Sequence, residues 1–137
     1  MTSISLSAPR AIPVPTRWTG RVLSALAVAF LAFDAVIKLL VARPVVESFA
    51  QLGYPVHLAT TIGALELACL AVYLVPRTAV LGAVLLTGYL GGAIATHVRL
   101  ENPLFSHVLF PTYVAALAWG GLWLRDRRVS ALFSRPI

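Results

Sequence analysis

Along this sequence, apolar stretches of roughly twenty residues alternate with short polar connections, and that alternation restricts the fold more than any other feature. The stretches cover residues 18–40, 56–75, 79–98 and 104–124. At the helical rise of ~1.5 Å per residue, each is long enough to cross a hydrocarbon layer ~30 Å thick. Only 12% of the residues are charged, about half the usual share in a soluble domain, which leaves too little polar surface to cover a water-soluble ball. The reading is an all-α transmembrane four-helix bundle. Three segments follow from it: a disordered arm over residues 1–16, one membrane domain over 17–128 and a tail over 129–137.

Between the first two stretches, residues 42–55 are too polar and too short to span. Val45, Val46, Phe49 and Leu52 recur there at helical spacing, with Pro44 at a favoured first-turn position and Gly53 as a stop. This predicts a short amphipathic helix lying in the interface over the mouth of the bundle. The small residues Ala25, Ala27 and Ala29 could mark a signal-peptide cleavage site, but they fall inside an apolar run that continues to Leu40. The run is therefore expected to be a retained anchor. The connection at 76–78 is short enough to make the second and third stretches antiparallel neighbours. Gly88 with Gly92, and Ala116 with Gly120, offer small-residue faces for close helix contact. Pro111 is expected to kink the last helix, and Trp119 and Trp123 to anchor its end at the interface.

Four crossings put both termini and the Arg77 turn on one side, together with Arg10, Arg17, Arg21, Arg125, Arg127, Arg128 and Arg135. The other side keeps Lys38, Arg43 and Arg99. The positive-inside rule then predicts a multi-pass protein of the inner (plasma) membrane with both termini cytoplasmic. The net charge of +6 resides in these helix-end arginines and not in a basic stripe with interleaved aromatics, so no nucleic-acid partner is expected. The single cysteine, Cys69, excludes an internal disulfide and thiol–quinone chemistry, which needs several cysteines.

In that topology most ionisable side chains within the spans gather in the non-cytoplasmic half, and the opposite half is almost purely apolar. Asp34 and Lys38 stand four residues apart on one helical face. Glu66 has no cation within its own stretch and shares a stripe with Ala59, Ile62, Cys69 and Tyr73. His97 and His107 flank the connection at 99–102, and His57 starts the second stretch at the same rim. Ionisable residues at membrane depth are candidates for function. The expected site is an outward-opening polar pocket with Asp34, Glu66 and His97 as acid–base groups. Lys38, Thr96, Tyr113 and His107 would bind the ligand, with Thr112 nearby. The structural alternative pairs Asp34 with Lys38, leaves the histidines in the headgroup region and keeps Glu66 protonated or bonded to a hydroxyl. No histidine pair is obviously facing or deep enough for haem, and no pair stands at i,i+3 or i,i+4 to anchor a metal.

The segments FLAFDAVIKLL, GALELACLAVYL, GYLGGAIATHVR and NPLFSHVLFPTYVAALAWGGLWLRD together resemble the DoxX-like family of small four-span bacterial membrane proteins. The resemblance extends over about residues 17–132. It implies Asp34, Lys38, Glu66 and His97 as the characteristic polar set; His107 is an extra histidine. Relatives in the wider DoxX/DoxD group resemble membrane subunits of redox systems, thiosulfate:quinone oxidoreductase among them. The leading expectation is therefore a membrane subunit of a redox or quinone-linked system. It would carry no cofactor of its own, bind a quinone-like ligand and take electrons from a partner membrane or redox protein. Two alternatives stand beside it: a scaffold that docks partner helices or a second copy through its small-residue faces, and a cofactor-free isomerase acting on a lipophilic substrate.

Overall fold

The structure, a computed structural model, describes residues 11–133, so residues 1–10 of the expected arm and 134–137 of the expected tail lie outside it. The chain forms helices α1 (Val14–Leu39), α2 (Arg43–Leu52), α3 (Leu58–Leu74), α4 (Ala79–Arg99), α5 (Phe110–Arg125) and α6 (Arg127–Phe133), with a π-helical turn at Leu104–Val108 ahead of α5. No strand occurs among the described residues. The fold class is the one expected, an all-α membrane bundle. Three helical segments are long and apolar enough to cross a membrane: Val14–Leu39, Ala79–Arg99 and Leu104–Arg125. Helix α3 has 17 residues, or ~25 Å of rise, at the short end of spanning lengths.

Helix α1 packs along α5 on one side and α3 on the other, and α4 completes the ring by touching both. Lipid gives no hydrophobic drive between helices, so close backbone approach and buried hydrogen bonds must hold such a ring. Gly20 of α1 and Gly121 of α5 supply one such approach. A Cβ built on Gly20 would lie 2.8 Å from the Gly121 carbonyl oxygen, and one on Gly121 would lie 2.7 Å from the Gly20 carbonyl. Gly82 of α4 does the same against α3, where a Cβ would fall onto the backbone of Tyr73.

These are not the small-residue faces expected from spacing. Gly88 and Gly92 are exposed, and a Cβ at either would meet nothing within 4 Å. Ala116 is exposed too, and a Cβ at Gly120 would reach only Leu23, at 3.9 Å. One residue along a helix turns the side chain by roughly 100°, so Gly121, not its neighbour, faces α1.

The opposite half from the expected pocket is also more polar than predicted. Tyr73, 1% exposed, donates from its hydroxyl to the Ala118 carbonyl at 2.8 Å and is 2.9 Å from the Ser24 hydroxyl. Arg125 Nε donates to Ser24 Oγ at 3.2 Å. Counting only charges missed this cluster. A buried tyrosine needs a hydroxyl partner, and Tyr73 on the buried stripe of α3 was the available sign.

Local breaks follow their residues. Pro111 has no N–H to give and its ring would clash with a preceding carbonyl, so the last apolar stretch is interrupted and α5 restarts with Pro111 in its first turn. Helix α2 forms as expected, with Pro44 in its first turn and Gly53 at φ 72° as its left-handed cap. Its Val45 and Phe49 are buried against Ile37, Ala59 and Ile62. Val41 (φ 48°) and Glu101 (φ 54°) adopt left-handed conformations at the turns on this same end of the bundle. Such strain in non-glycine residues costs of order 1–3 kcal/mol and needs surrounding structure to hold it.

At the other end, α6 folds back so that Val129 joins the core at 1% exposure. Asp126 directs the fold-back. Its Oδ1 accepts the Arg128 backbone N–H at 2.8 Å, its Oδ2 pairs with the Arg128 guanidinium at 2.9 Å, and Arg128 Nη2 donates to the Pro76 carbonyl at 2.7 Å. Arg128 hydrogen bonding holds the Asp126 carboxyl below its ordinary range. A depressed carboxylate stabilises the folded form above its unfolded pKa, and that contribution fades as pH falls through the depressed folded value. Amide exchange at Val129 should therefore accelerate as pH drops below ~4, after correction for intrinsic exchange. In Asp126→Asn the acid-dependent step should vanish.

Candidate functional site

Three helices bring ionisable groups to one point. Asp34 and Lys38 lie one turn apart on α1, Glu66 is on α3 and Tyr89 is on α4. Lys38 Nζ donates to Asp34 Oδ2, to Glu66 Oε2 at 2.9 Å and to the Tyr89 hydroxyl at 2.8 Å. The Tyr89 hydroxyl donates in turn to Glu66 Oε2 at 2.8 Å. An ammonium has three donors, and all three are taken by the protein. Gly63, one turn before Glu66, makes this geometry available, since a Cβ there would sit 2.8 Å from Lys38 Cβ.

The cluster is graded in burial. The Glu66 side chain is 0% exposed, that of Lys38 13% and that of Asp34 31%. Two carboxylates share one ammonium, so the ionised cluster carries an excess of one negative charge away from water. Glu66 Oε1 is buried with no hydrogen-bond partner. Leaving such an atom unsatisfied costs about 1–3 kcal/mol, and more when it is charged. The arrangement is an expensive way to join helices.

Asp34, Lys38 and Tyr89 form part of the wall of a cavity of about 550 Å³, within the ~300–1,000 Å³ range of small-molecule sites. Leu31, Leu90 and Val114 line it with hydrocarbon, and Phe49, Tyr54, Thr96 and His97 line it toward the α2 end. There α2 is tied to α4 twice. Thr96 spends its own proton on the Gly92 carbonyl at 3.0 Å, so Tyr54 donates to Thr96 at 2.8 Å. Arg99 Nη2 donates to the Leu52 carbonyl at 2.8 Å and its guanidinium lies over the Tyr54 ring.

The residues singled out from sequence thus divide. Asp34, Lys38 and Glu66 converge. Thr96 and His97 share the cavity with Asp34 and Lys38 but stand at its α2 end. His97 Nδ1 is 2.8 Å from Asn102 Nδ2, which with the amide as donor leaves the proton on Nε2. His107 is exposed, paired through Nδ1 with Ser106 at 2.8 Å, and touches the site only by ring contact with His97 at 5.7 Å. Tyr113 is 46% exposed and donates to the Phe105 carbonyl at 3.2 Å, outside the cavity lining. Thr112 and His57 are also exposed. Tyr89 and Tyr54 were missed, because an uncharged phenol in an apolar stretch looks like ordinary packing. Among the described residues, no three His, Cys, Asp or Glu side chains are placed to hold a metal ion.

The model of the DoxX-like family matches residues 22–121. The chain belongs to the DoxX-like family. Every member of the Asp34–Lys38–Glu66–Tyr89 cluster lies inside the matched region, as do Tyr54, Thr96 and His97. No curated protein and no solved structure matches this DoxX-like chain.

Removing one partner of a buried ion pair costs roughly 3–5 kcal/mol, while replacing the whole set by apolar groups is often neutral. Lys38→Met should therefore lower stability by about that amount in detergent unfolding, because Asp34 and Glu66 are left facing each other. Adding Glu66→Gln to Lys38→Met should recover much of the loss; equal melting of the single and double variants would show that the lysine does not neutralise Glu66.

Proposed function

We propose that this DoxX-like protein is the membrane subunit of a quinone-linked redox system, binding a lipophilic quinone-type molecule in the cavity beside Asp34, Lys38 and Tyr89. The observation carrying this reading is a charged cluster at the wall of a largely apolar cavity, inside a bundle whose outer surface is hydrocarbon. A purely structural ion pair needs no cavity beside it, and a greasy lipid-binding groove needs no buried charge. Quinone reduction takes two electrons and two protons, and this chain offers proton-exchanging groups but no redox centre among its described side chains. Electrons come from a partner redox protein, while Asp34 and Glu66, with His97 at the α2 end, relay protons.

The protein lies in the inner (plasma) membrane with its termini in the cytoplasm, so α2 and the α4–α5 connection face outward. Support comes from the arginines gathered at the terminal end. A cysteine replacing His57, in a Cys69→Ala background, should react in intact cells with a membrane-impermeant maleimide, whereas one replacing Arg77 should not. The reverse pattern would invert the topology.

A second reading has one observation in its favour. Gly88, Gly91, Gly92 and Ala95 leave an exposed, nearly side-chain-free strip on α4 that could seat a helix of a second copy. Binding separates the two. Intrinsic fluorescence is a poor reporter, since Trp18, Trp119 and Trp123 all lie off the cavity lining. Equilibrium dialysis of purified protein against decylubiquinone should give saturable binding of one molecule per chain. Ala93→Phe, which fills the cavity from its wall, should weaken binding at least tenfold with little change in melting temperature. Non-saturable uptake, identical in both proteins, would leave the quinone reading without support.

A further inference from the structure

Lining residues of the cavity differ sharply in exposure. Leu31, Leu90 and Val114 are buried, but Leu65 of α3 is 56% exposed, and Gly88 and Gly92 of α4 are exposed as well. Phe30 of α1 and Phe110 of α5 also line it and are 40% and 41% exposed, but their rings close on each other edge-to-face at 5.1 Å, so the cavity reaches the outer surface between α3 and α4. Gly82 shows that this gap is local. There the two helices touch backbone to backbone, whereas about two to three turns along α4, at Gly88 and Gly92, a Cβ would meet nothing within 4 Å. The helices meet at one end and splay at the other.

Depth decides what can use the gap. Gly88 and Gly92 lie ~14–20 Å from the Ala79 end of a helix ~30 Å long, in the middle of the hydrocarbon layer. The end of the cavity nearer the interface is instead covered by α2, held by the Tyr54–Thr96 and Arg99–Leu52 hydrogen bonds. A phospholipid would have to drag a charged headgroup to mid-membrane to reach the cluster. A molecule with a small neutral polar end need not.

The cluster also dictates which polar end fits. Lys38 has no donor left. Asp34 uses only Oδ2 toward Lys38, and no described residue bonds its other oxygen, although its side chain is 31% exposed on the cavity wall. The cavity thus presents an unfilled acceptor below the α2 cover, and a ligand satisfies it by donating a hydroxyl. We infer that the cavity loads sideways from the bilayer, through a window between α3 and α4 kept open by Gly88 and Gly92. Its ligand is a neutral, lipid-soluble molecule whose hydroxyl donates to Asp34, which for a quinone-type ligand is the reduced, quinol form. This rests on the cavity being the binding site, and adds the route and the preferred form.

The test uses the full chain in nanodiscs, with ligand-induced thermal stabilisation as readout. Decylubiquinol should bind at least tenfold more tightly than decylubiquinone, and Asp34→Asn should shrink that ratio to within threefold. Gly88→Leu and Gly92→Leu should each weaken quinol binding at least tenfold. Gly91→Leu, on the same exposed strip but outside the cavity lining, should bind like the parent. A bis-maleimide tether between cysteines replacing Gln51 and Arg99, both outside the cavity lining, in a Cys69→Ala background, should leave loading intact because that end is not the entrance. Equal binding of quinol and quinone would overturn the hydroxyl assignment. Loading blocked by the tether, or Gly88→Leu and Gly92→Leu matching Gly91→Leu, would overturn the lateral route. Ala93→Phe is the separate control: if it too binds like the parent, the cavity itself is not the site.

Discussion

One ammonium group, that of Lys38, lets two carboxylates on different helices coexist inside hydrocarbon. Without it Asp34 and Glu66 would repel across the α1–α3 interface, at a depth where an unpaired charge is costly. Much of the surrounding structure serves this contact. Gly63 gives up its side chain so that Lys38 can pass, and Tyr89 reaches in from α4 to share the same Glu66 oxygen. The cluster consequently ties three helices together around one point. With both carboxylates ionised it is one charge short of neutrality, and one oxygen of Glu66 has no hydrogen-bond partner.

That deficit makes sense when the two ends of the bundle are compared. The end carrying Gly20, Gly82 and Gly121 is packed to backbone contact and sealed by neutral hydrogen bonds among Ser24, Tyr73 and Ala118, with Arg125 over the Tyr73 ring. The other end is splayed, holds the cavity, and is covered by a short helix fixed through left-handed turns at Val41 and Glu101. Close packing supplies the cohesion that lipid-embedded helices otherwise lack. The splayed end can then keep polar groups incompletely satisfied, as binding sites do. Close packing and the cavity occupy different halves of a small molecule.

Membership of the DoxX-like family and the membrane bundle stand independently of any ligand. The proposed quinone chemistry draws on the union of buried charge, apolar cavity and mid-membrane opening. A wholly scaffolding protein could keep the exposed glycine strip but would have no use for an acceptor oxygen turned into an internal space.

The sequence alone determined the membrane architecture, because apolar length and the scarcity of charge act through local solvation and need no knowledge of neighbours. It equally determined α2, where proline, an apolar 3–4 spacing and a terminal glycine are all local signals. It nominated Asp34, Lys38 and Glu66, since a charge in an apolar run is conspicuous wherever it points. Only the tertiary structure decided that these three meet, that Tyr89 completes them, and that His107 and Tyr113 face elsewhere. It alone chose Gly20, Gly82 and Gly121 over Gly88, Gly92 and Gly120 for close packing. The physical reason is rotational: one residue of phase turns a side chain by roughly 100°, and that phase is set by how whole helices seat against one another.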